Sequence, residues 1–247
     1  MSHKLLHISS RDKDGSSESN SNFSVSFSNS DVLQAVKKIT LKSVSIPNTV
    51  YNVNQYNNEF TYKIAGTPTS VTMDPGQYSQ SEFKTEFETI LSGLAMSIVI
   101  DPNTKRIFAT TTTPIEWLTI SENKMAEILG IETGSGGDVT FFNAQHVIAL
   151  EGLRSVFIDS IEGGEGNMLS SRNSQQQNII GIVPMTVGFG FIEHYKTDHS
   201  EIDDQDIHRG NPSGRNIQKI SIKLLDEKQN VIDLNGHHVE MILKIHY

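Results

Sequence analysis

The sequence predicts a mainly β protein: a jelly-roll type antiparallel β-sandwich carrying a small α+β insertion. Two observations lead there. Apolar and polar residues alternate at period two in about ten short runs, each closed by Gly, Pro or Asn punctuation. Sustained helical periodicity is confined to one region, so helices are too few to supply the crossovers that parallel strands require.

The first element is a polar one. The stretch RDKDGSSESNSN at 11–22 has almost nothing to bury, so residues 1–22 are expected to form a flexible N-terminal arm. Phe23, Val25 and Phe27 then alternate with Ser24 and Ser26 as a half-buried strand. In the next run Ile39 and Leu41 share one phase while Val44 and Ile46 share the opposite one. That slip places a bulge near Lys42 and Ser43, and Pro47 ends the strand. Phe60, Tyr62 and Ile64, followed by Val71 and Met73, read as a hairpin across Gly66 and Pro68.

After Pro75 and Gly76 the period becomes helical. Phe83, Phe87, Ile90, Leu91 and Leu94 form one apolar stripe, Ser79 with Glu82 is a capping-box signature, and Gly93 marks the end. Met96, Ile98 and Ile100 alternate up to the turn DPNT at 101–104, and Ile107 and Ala109 return from it. A second helix is expected from its cap Ser121 to Leu129, with Gly130 as its stop. These pieces make the α+β insertion, at about 74–133, within a jelly-roll domain spanning 23–247.

Downstream, short strands are expected at 139–142, 147–150, 156–158, 179–185 and 187–192, with long loops at 162–177 and 196–215. Ile220, Ile222 and Leu224 alternate, a strand follows at 231–234, and Asn235-Gly236 reads as a type I′ hairpin turn. Val239, Met241, Leu243, Ile245 and Tyr247 then alternate. A strand this apolar needs a neighbouring strand or subunit to cover it.

Composition removes several functions. The 247 residues include no cysteine, which excludes disulfides, thiolate zinc sites and a cysteine nucleophile. A net charge of −9 repels phosphate backbones, so no direct nucleic-acid partner is expected. No run approaches the ~20 apolar residues of a membrane helix, and the first residues lack a signal-peptide core. The expectation is a soluble chain made in the cytosol.

Chemistry is sparse. There is no P-loop, dinucleotide fingerprint, G-x-S-x-G elbow, H-E-x-x-H or EF-hand loop. Residues 193–208 (EHYKTDHSEIDDQDIH) gather His194, Asp198, His199, Asp203, Asp204, Asp206 and His208, but their spacing matches no ligand pattern, and a solvated acidic loop accounts for them. His237 and His238 are adjacent, so on a strand they would point to opposite sides and could not share a metal. Gly136-Gly137 and Gly163-Gly164 lack the lysine and helix that a phosphate cradle needs and read as turns, and Trp117 reads as core. No catalytic, cofactor-binding or metal residue is therefore assigned, no cofactor is expected, and the chain is not expected to be an enzyme. Two rival readings remain: a receptor- or glycan-binding β-sandwich module, whose long loops would here be poor in Trp and Tyr apart from Tyr195, and a metal-dependent enzyme centred on 194–208.

A family resemblance rests on short motifs spread along the chain. They are Ser10-Arg11-Asp12 before the first alternating strand, VSIPNTVYN at 44–52, Asn58-Glu59-Phe60, Pro75-Gly76-Gln77-Tyr78 entering the helix, Leu129-Gly130-Ile131 closing the insertion, and Ile232-Asp233-Leu234-Asn235-Gly236 before the strand that reaches Tyr247. In these features the chain resembles the penton-forming minor capsid proteins of virophages and polinton-like viruses. The resemblance implies a structural protein of the virion, made in the host cytoplasm, that assembles as a homopentamer at the vertices of an icosahedral shell and contacts the major capsid protein. It transfers no catalytic residues. On this reading the arm at 1–22 would reach a neighbour or the capsid interior, and the loops at 162–177 and 196–215 would lie at rims or outer tips.

Overall fold

A computed structural model describes residues 2–28, 32–163, 168–169, 176–197 and 214–247. In chain order its elements are β1 (His3–Ser9), β2 (Asn22–Ser26), β3 (Leu33–Val36), β4 (Lys38–Pro47), β5 (Glu59–Ile64), β6 (Thr67–Thr72), α1 (Gln80–Ile90), β7 (Ser97–Ile100) and β8 (Arg106–Trp117). There follow α2 (Ala126–Leu129), β9 (Val139–Val147), β10 (Ser155–Asp159), β11 (Met168–Leu169), β12 (Gln176–Gln177), β13 (Ile179–Pro184), β14 (Ile192–Lys196), β15 (Arg215–Ile217), β16 (Lys219–Leu225) and β17 (Glu240–His246). Contacts divide the chain into two units, residues 1–50 with 153–247, and residues 51–152.

The first unit is the sandwich. One four-stranded sheet has the order β1-β17-β4-β14 and the other β13-β10-β16-β2, all pairs antiparallel. Counted along the chain, the eight strands read first, eighth, third, sixth in one sheet and fifth, fourth, seventh, second in the other. This interleaving is a jelly roll. Inward residues of both sheets make one core, with Ile39, Leu41, Val44, Ile46, Met241, Leu243 and Ile245 meeting Val156, Ile158, Ile220, Ile222 and Leu224. The sheets pack tightly where Gly181 of β13 faces Leu41 of β4: a Cβ on Gly181 would lie 2.5 Å from Leu41 Cδ2. β3 pairs with β15, and β11 with β12, as two short ribbons.

The phase slip in β4 is the bulge it implied. Ile242 pairs with Ser43 but Leu243 pairs with Leu41, which leaves Lys42 as the extra residue. The Asn-Gly turn also has the expected form, with Asn235 and Gly236 both at positive φ (49° and 82°) and His237 N donating to Leu234 O at 3.0 Å. The apolar strand β17 is covered on both sides, by β1 and β4. No strand forms at 231–234, where Val231 makes only an isolated bridge to Leu225.

The stretch 1–22, expected as a flexible arm, is ordered over its described residues 2–22. Residues 3–9 form β1, in register with β17 from His3 opposite His246 to Ser9 opposite Glu240, with Ile8 in the core. The polar stretch that follows is ordered by hydrogen bonds instead of by burial. Asp14 N donates to Ser24 O at 2.8 Å, Ser24 N donates to Ser17 Oγ at 3.0 Å, and Ser26 N donates to Asp14 Oδ1 at 3.2 Å. Asn20 Nδ2 donates to His237 O at 2.9 Å, and the Ser21 hydroxyl donates to Ile232 O. Composition alone reads such a segment as unfoldable because it has no apolar anchors, but Asp14 and Ser17 satisfy the outer backbone of β2, and Asn20 and Ser21 satisfy loop carbonyls at His237 and Ile232.

The second unit is the α+β insertion, and it is larger than expected, running over 51–152 and not 74–133. The hairpin β5–β6 and the strand β9 belong to it, because β5 and β9 both pair with the long strand β8. Their pairing partners are far apart in sequence, which local pattern does not reveal. The helix α1 has the capping box, with Glu82 N donating to Ser79 Oγ at 3.3 Å and Ser79 N donating to Glu82 Oε2 at 2.9 Å. Phe83 and Phe87 are buried beneath it, and Trp117 stacks on Phe142 with centroids 4.7 Å apart, confirming Trp117 as core.

The second helix is only one turn, Ala126–Leu129, and Ser121 does not cap it. Asn123 sets its start: Asn123 Oδ1 accepts from Met125 N at 3.1 Å, a local bond that competes with helical pairing. Gly130 stops it as expected, at φ 70°, where a Cβ would run into the backbone carbonyl of His146. Strand β9 ends at Val147, so no separate strand occupies 147–150.

Candidate assembly surfaces

Among the described residues no group of three or more His, Asp or Glu side chains is placed to hold a metal ion. Of the stretch 193–208, positions 198–208, including Asp198, His199, Asp203, Asp204, Asp206 and His208, lie outside the described residues. The described part is not loop but strand: β14 covers 192–196, where 187–192 was expected. Gly188 and Gly190 instead make a turn, closed by Phe191 N donating to Gly188 O at 3.2 Å.

The alternation of β14 separates Glu193 from His194. His194 is exposed, and its Nδ1 lies 2.9 Å from Ser45 Oγ. Glu193 points inward, 8% exposed, and its carboxylate accepts from Thr186 N (2.6 Å), Thr186 Oγ1 (2.8 Å) and Val187 N (3.2 Å). Burial raises its pKa, but the bonds from Thr186 and Val187, with the nearby His194, outweigh burial and leave it below the ordinary carboxyl value. Glu193 therefore pins the connection between β13 and β14.

A second carboxylate cluster closes the ladder between β10 and β16. The two strands part after Asp159 pairs with Lys223, and Glu162 takes over by accepting from Ser221 N at 2.8 Å and Ser221 Oγ at 3.2 Å. Burial pushes Asp159 upward; a bond from Asn178 N and the Lys223 charge oppose this, and Glu162 adds to the rise. In the insertion, a shallow groove at the start of α1 is lined by Gly76, Tyr78, Ser81, Glu82 and Glu86. Its Glu82 is committed to the helix cap, and Tyr78 OH donates to Asp74 O at 2.8 Å. These contacts hold backbone in place.

The remaining histidine and glycine pairs are structural too. His237 is exposed after the Asn-Gly turn, while His238 Nδ1 lies 3.2 Å from Ser10 Oγ. Gly136 and Gly137 form a turn whose carbonyl Gly137 O accepts from Ser135 Oγ at 2.5 Å. Gly164 lies outside the described residues.

What the surface does offer is exposed apolar side chains in groups. Leu5 of β1 is 56% exposed, and at the other edge of the same sheet Phe191 is 68% and Ile192 52% exposed. In the insertion, Val99, Phe141 and Val147 lie on the outer face of β7, β8 and β9, where Phe141 approaches Phe108 at 6.5 Å between ring centroids. Apart from Leu5, sequence periodicity registers these residues as strand, but it cannot tell an inner from an outer face or an edge from a centre.

No family model matches the chain, and no curated protein matches it. Among solved structures, the crystal structure of the mavirus penton protein matches over 99% of both chains, with a TM-score of 0.50 and 8% sequence identity. At that identity the likeness is one of fold. Across 99% of its length the chain shares the fold of the mavirus penton protein.

Proposed function

We propose that this chain is a structural capsid protein, the minor component that forms the pentameric vertex of an icosahedral virus shell by self-assembly and by contact with the major capsid protein. The observation that carries this reading is the end-to-end likeness to a penton protein, insertion included, in a chain with a jelly roll of two four-stranded sheets. The same likeness to a capsid protein supports a non-enzymatic role in the virion. No helix of the described residues is long and apolar enough to cross a membrane.

The test is co-expression of the chain with the major capsid protein of its virus, followed by recovery of shells and labelling of the chain. Labels confined to five-fold vertices at five copies each are the expected result. Closed shells that exclude the chain would refute the reading.

A further inference from the structure

We propose that copies of this chain join edge to edge, strand β1 of one copy adding antiparallel to strand β14 of the next, so that the sheet β1-β17-β4-β14 continues across subunits. The inference rests on the shell-subunit reading and names the surface such a subunit would use.

Both edges are open in the right phase. Tyr247 N donates to Ser2 O and Ser10 N to Val239 O, so the even-numbered residues of β1 bond β17. His3, Leu5 and His7 turn their N–H and C=O groups to the outer side. At the other edge, Asn48 N donates to Phe191 O and Thr197 N to Lys42 O, so Glu193 and Tyr195 bond β4. Ile192, His194 and Lys196 turn their backbone groups away from it. No described strand pairs with either outer side.

Parity makes the edges complementary. The sheet has four strands of alternating direction, so its two edge strands run oppositely. A second copy placed head to tail brings β1 against β14 as an antiparallel pair. In such a pair, directly bonded residues point to the same face. Leu5, His7, Ile192 and His194 all point to the outer face, so joining the edges keeps core residues on the core side. It would also bring Leu5 near Ile192, two apolar residues that are each more than half exposed.

The chain treats another of its edges differently. The open side of β2 is blanketed by Asp14 and Ser17, which bond the backbone of Ser24 and Ser26. An edge left uncovered beside one so covered marks a place for a partner strand. A head-to-tail contact repeated by rotation closes a ring.

The experiment is residue-resolved hydrogen–deuterium exchange on the monomer and on the assembled form, taken from concentrated solution or from recovered shells. The amides of His3, Leu5, His7, Ile192, His194 and Lys196 are expected to slow by about tenfold or more on assembly. Leu5→Pro removes only an N–H with no partner among the described residues and is expected to leave the monomer's melting temperature unchanged while abolishing assembly. Ile192→Lys serves as the second variant should Leu5→Pro unfold. Assembled protein whose edge amides exchange at the monomer rate, or folded variants that assemble like the parent, would overturn the inference and leave the shell reading standing. Absence of the chain from shells counts against the shell reading, whereas edge protection in a soluble oligomer would support the edge contact on its own.

Discussion

Adding one methyl group at Gly181 tests how closely the two sheets of the jelly roll approach. In Gly181→Ala the new Cβ would sit 2.5 Å from Leu41 Cδ2 and 3.3 Å from Leu41 Cβ, against the ~3.5–4.0 Å of an unstrained carbon contact. Leu41 is fully buried, so it can yield only by displacing its neighbours. Overpacking of this size costs about 1–3 kcal/mol. The stiffer unfolded chain returns about 0.4–1 kcal/mol, leaving a net loss of about 1–2 kcal/mol. For a chain this long, that lowers the melting temperature by roughly 2–8 °C. Leu41→Ala alone should cost about 2–5 kcal/mol through the cavity it leaves. In the double variant the alanine methyl enters part of that cavity, so the two losses should fall short of their sum by about 1 kcal/mol or more. Urea unfolding of all four chains measures this directly. Additive losses would mean that the sheets are not in contact at this point.

Three further outcomes are expected. Removing residues 2–9 should destabilise the sandwich by several kcal/mol, because Ile8 leaves the core and β17 loses a partner; unchanged thermal unfolding would restore the arm reading. Glu193→Gln should cost about 1–3 kcal/mol at pH 7 through its charged hydrogen bonds. Since the Glu193 pKa is lowered on folding, its contribution is present above the ordinary value of 4.5 and is lost as pH falls through the folded value, so the variant should flatten the acid limb of the stability profile. Asp159→Asn should act oppositely and stabilise the fold at neutral pH, because a pKa raised by burial means that ionised Asp159 opposes folding; a melting temperature that falls at pH 7 but not at pH 4 would contradict this.

What could be read from the residues was whatever is encoded locally. The bulge at Lys42 showed in the phase of four apolar residues, the start of α1 in Ser79 and Glu82, and the turn at Asn235-Gly236 in two adjacent letters. What could not be read depended on distant partners. β1 has Leu5 beside Leu6, which breaks alternation, and it is a strand because β17 lies next to it. The polar stretch after it is ordered by bonds to Ser24, Ile232 and His237, more than two hundred positions away in the last two cases. The limits of the insertion were missed because β8 collects strands from both sides. The candidate assembly edges were invisible for the same reason, since only the sheet order says which strands have an open side.

The place of β17 between β1 and β4 has a consequence for timing. It is the last of the eight sandwich strands to leave the ribosome, yet it is central in its sheet. Until it emerges, β1 and β4 have no strand to bridge them, and the pairs it forms close loops of about two hundred residues, which is slow. The insertion, with its contacts inside 51–152, can fold well before that. A subunit built this way cannot present a finished sheet, and so cannot offer its two edges together, until β17 has been made. Joining through the proposed edges therefore has to wait for β17.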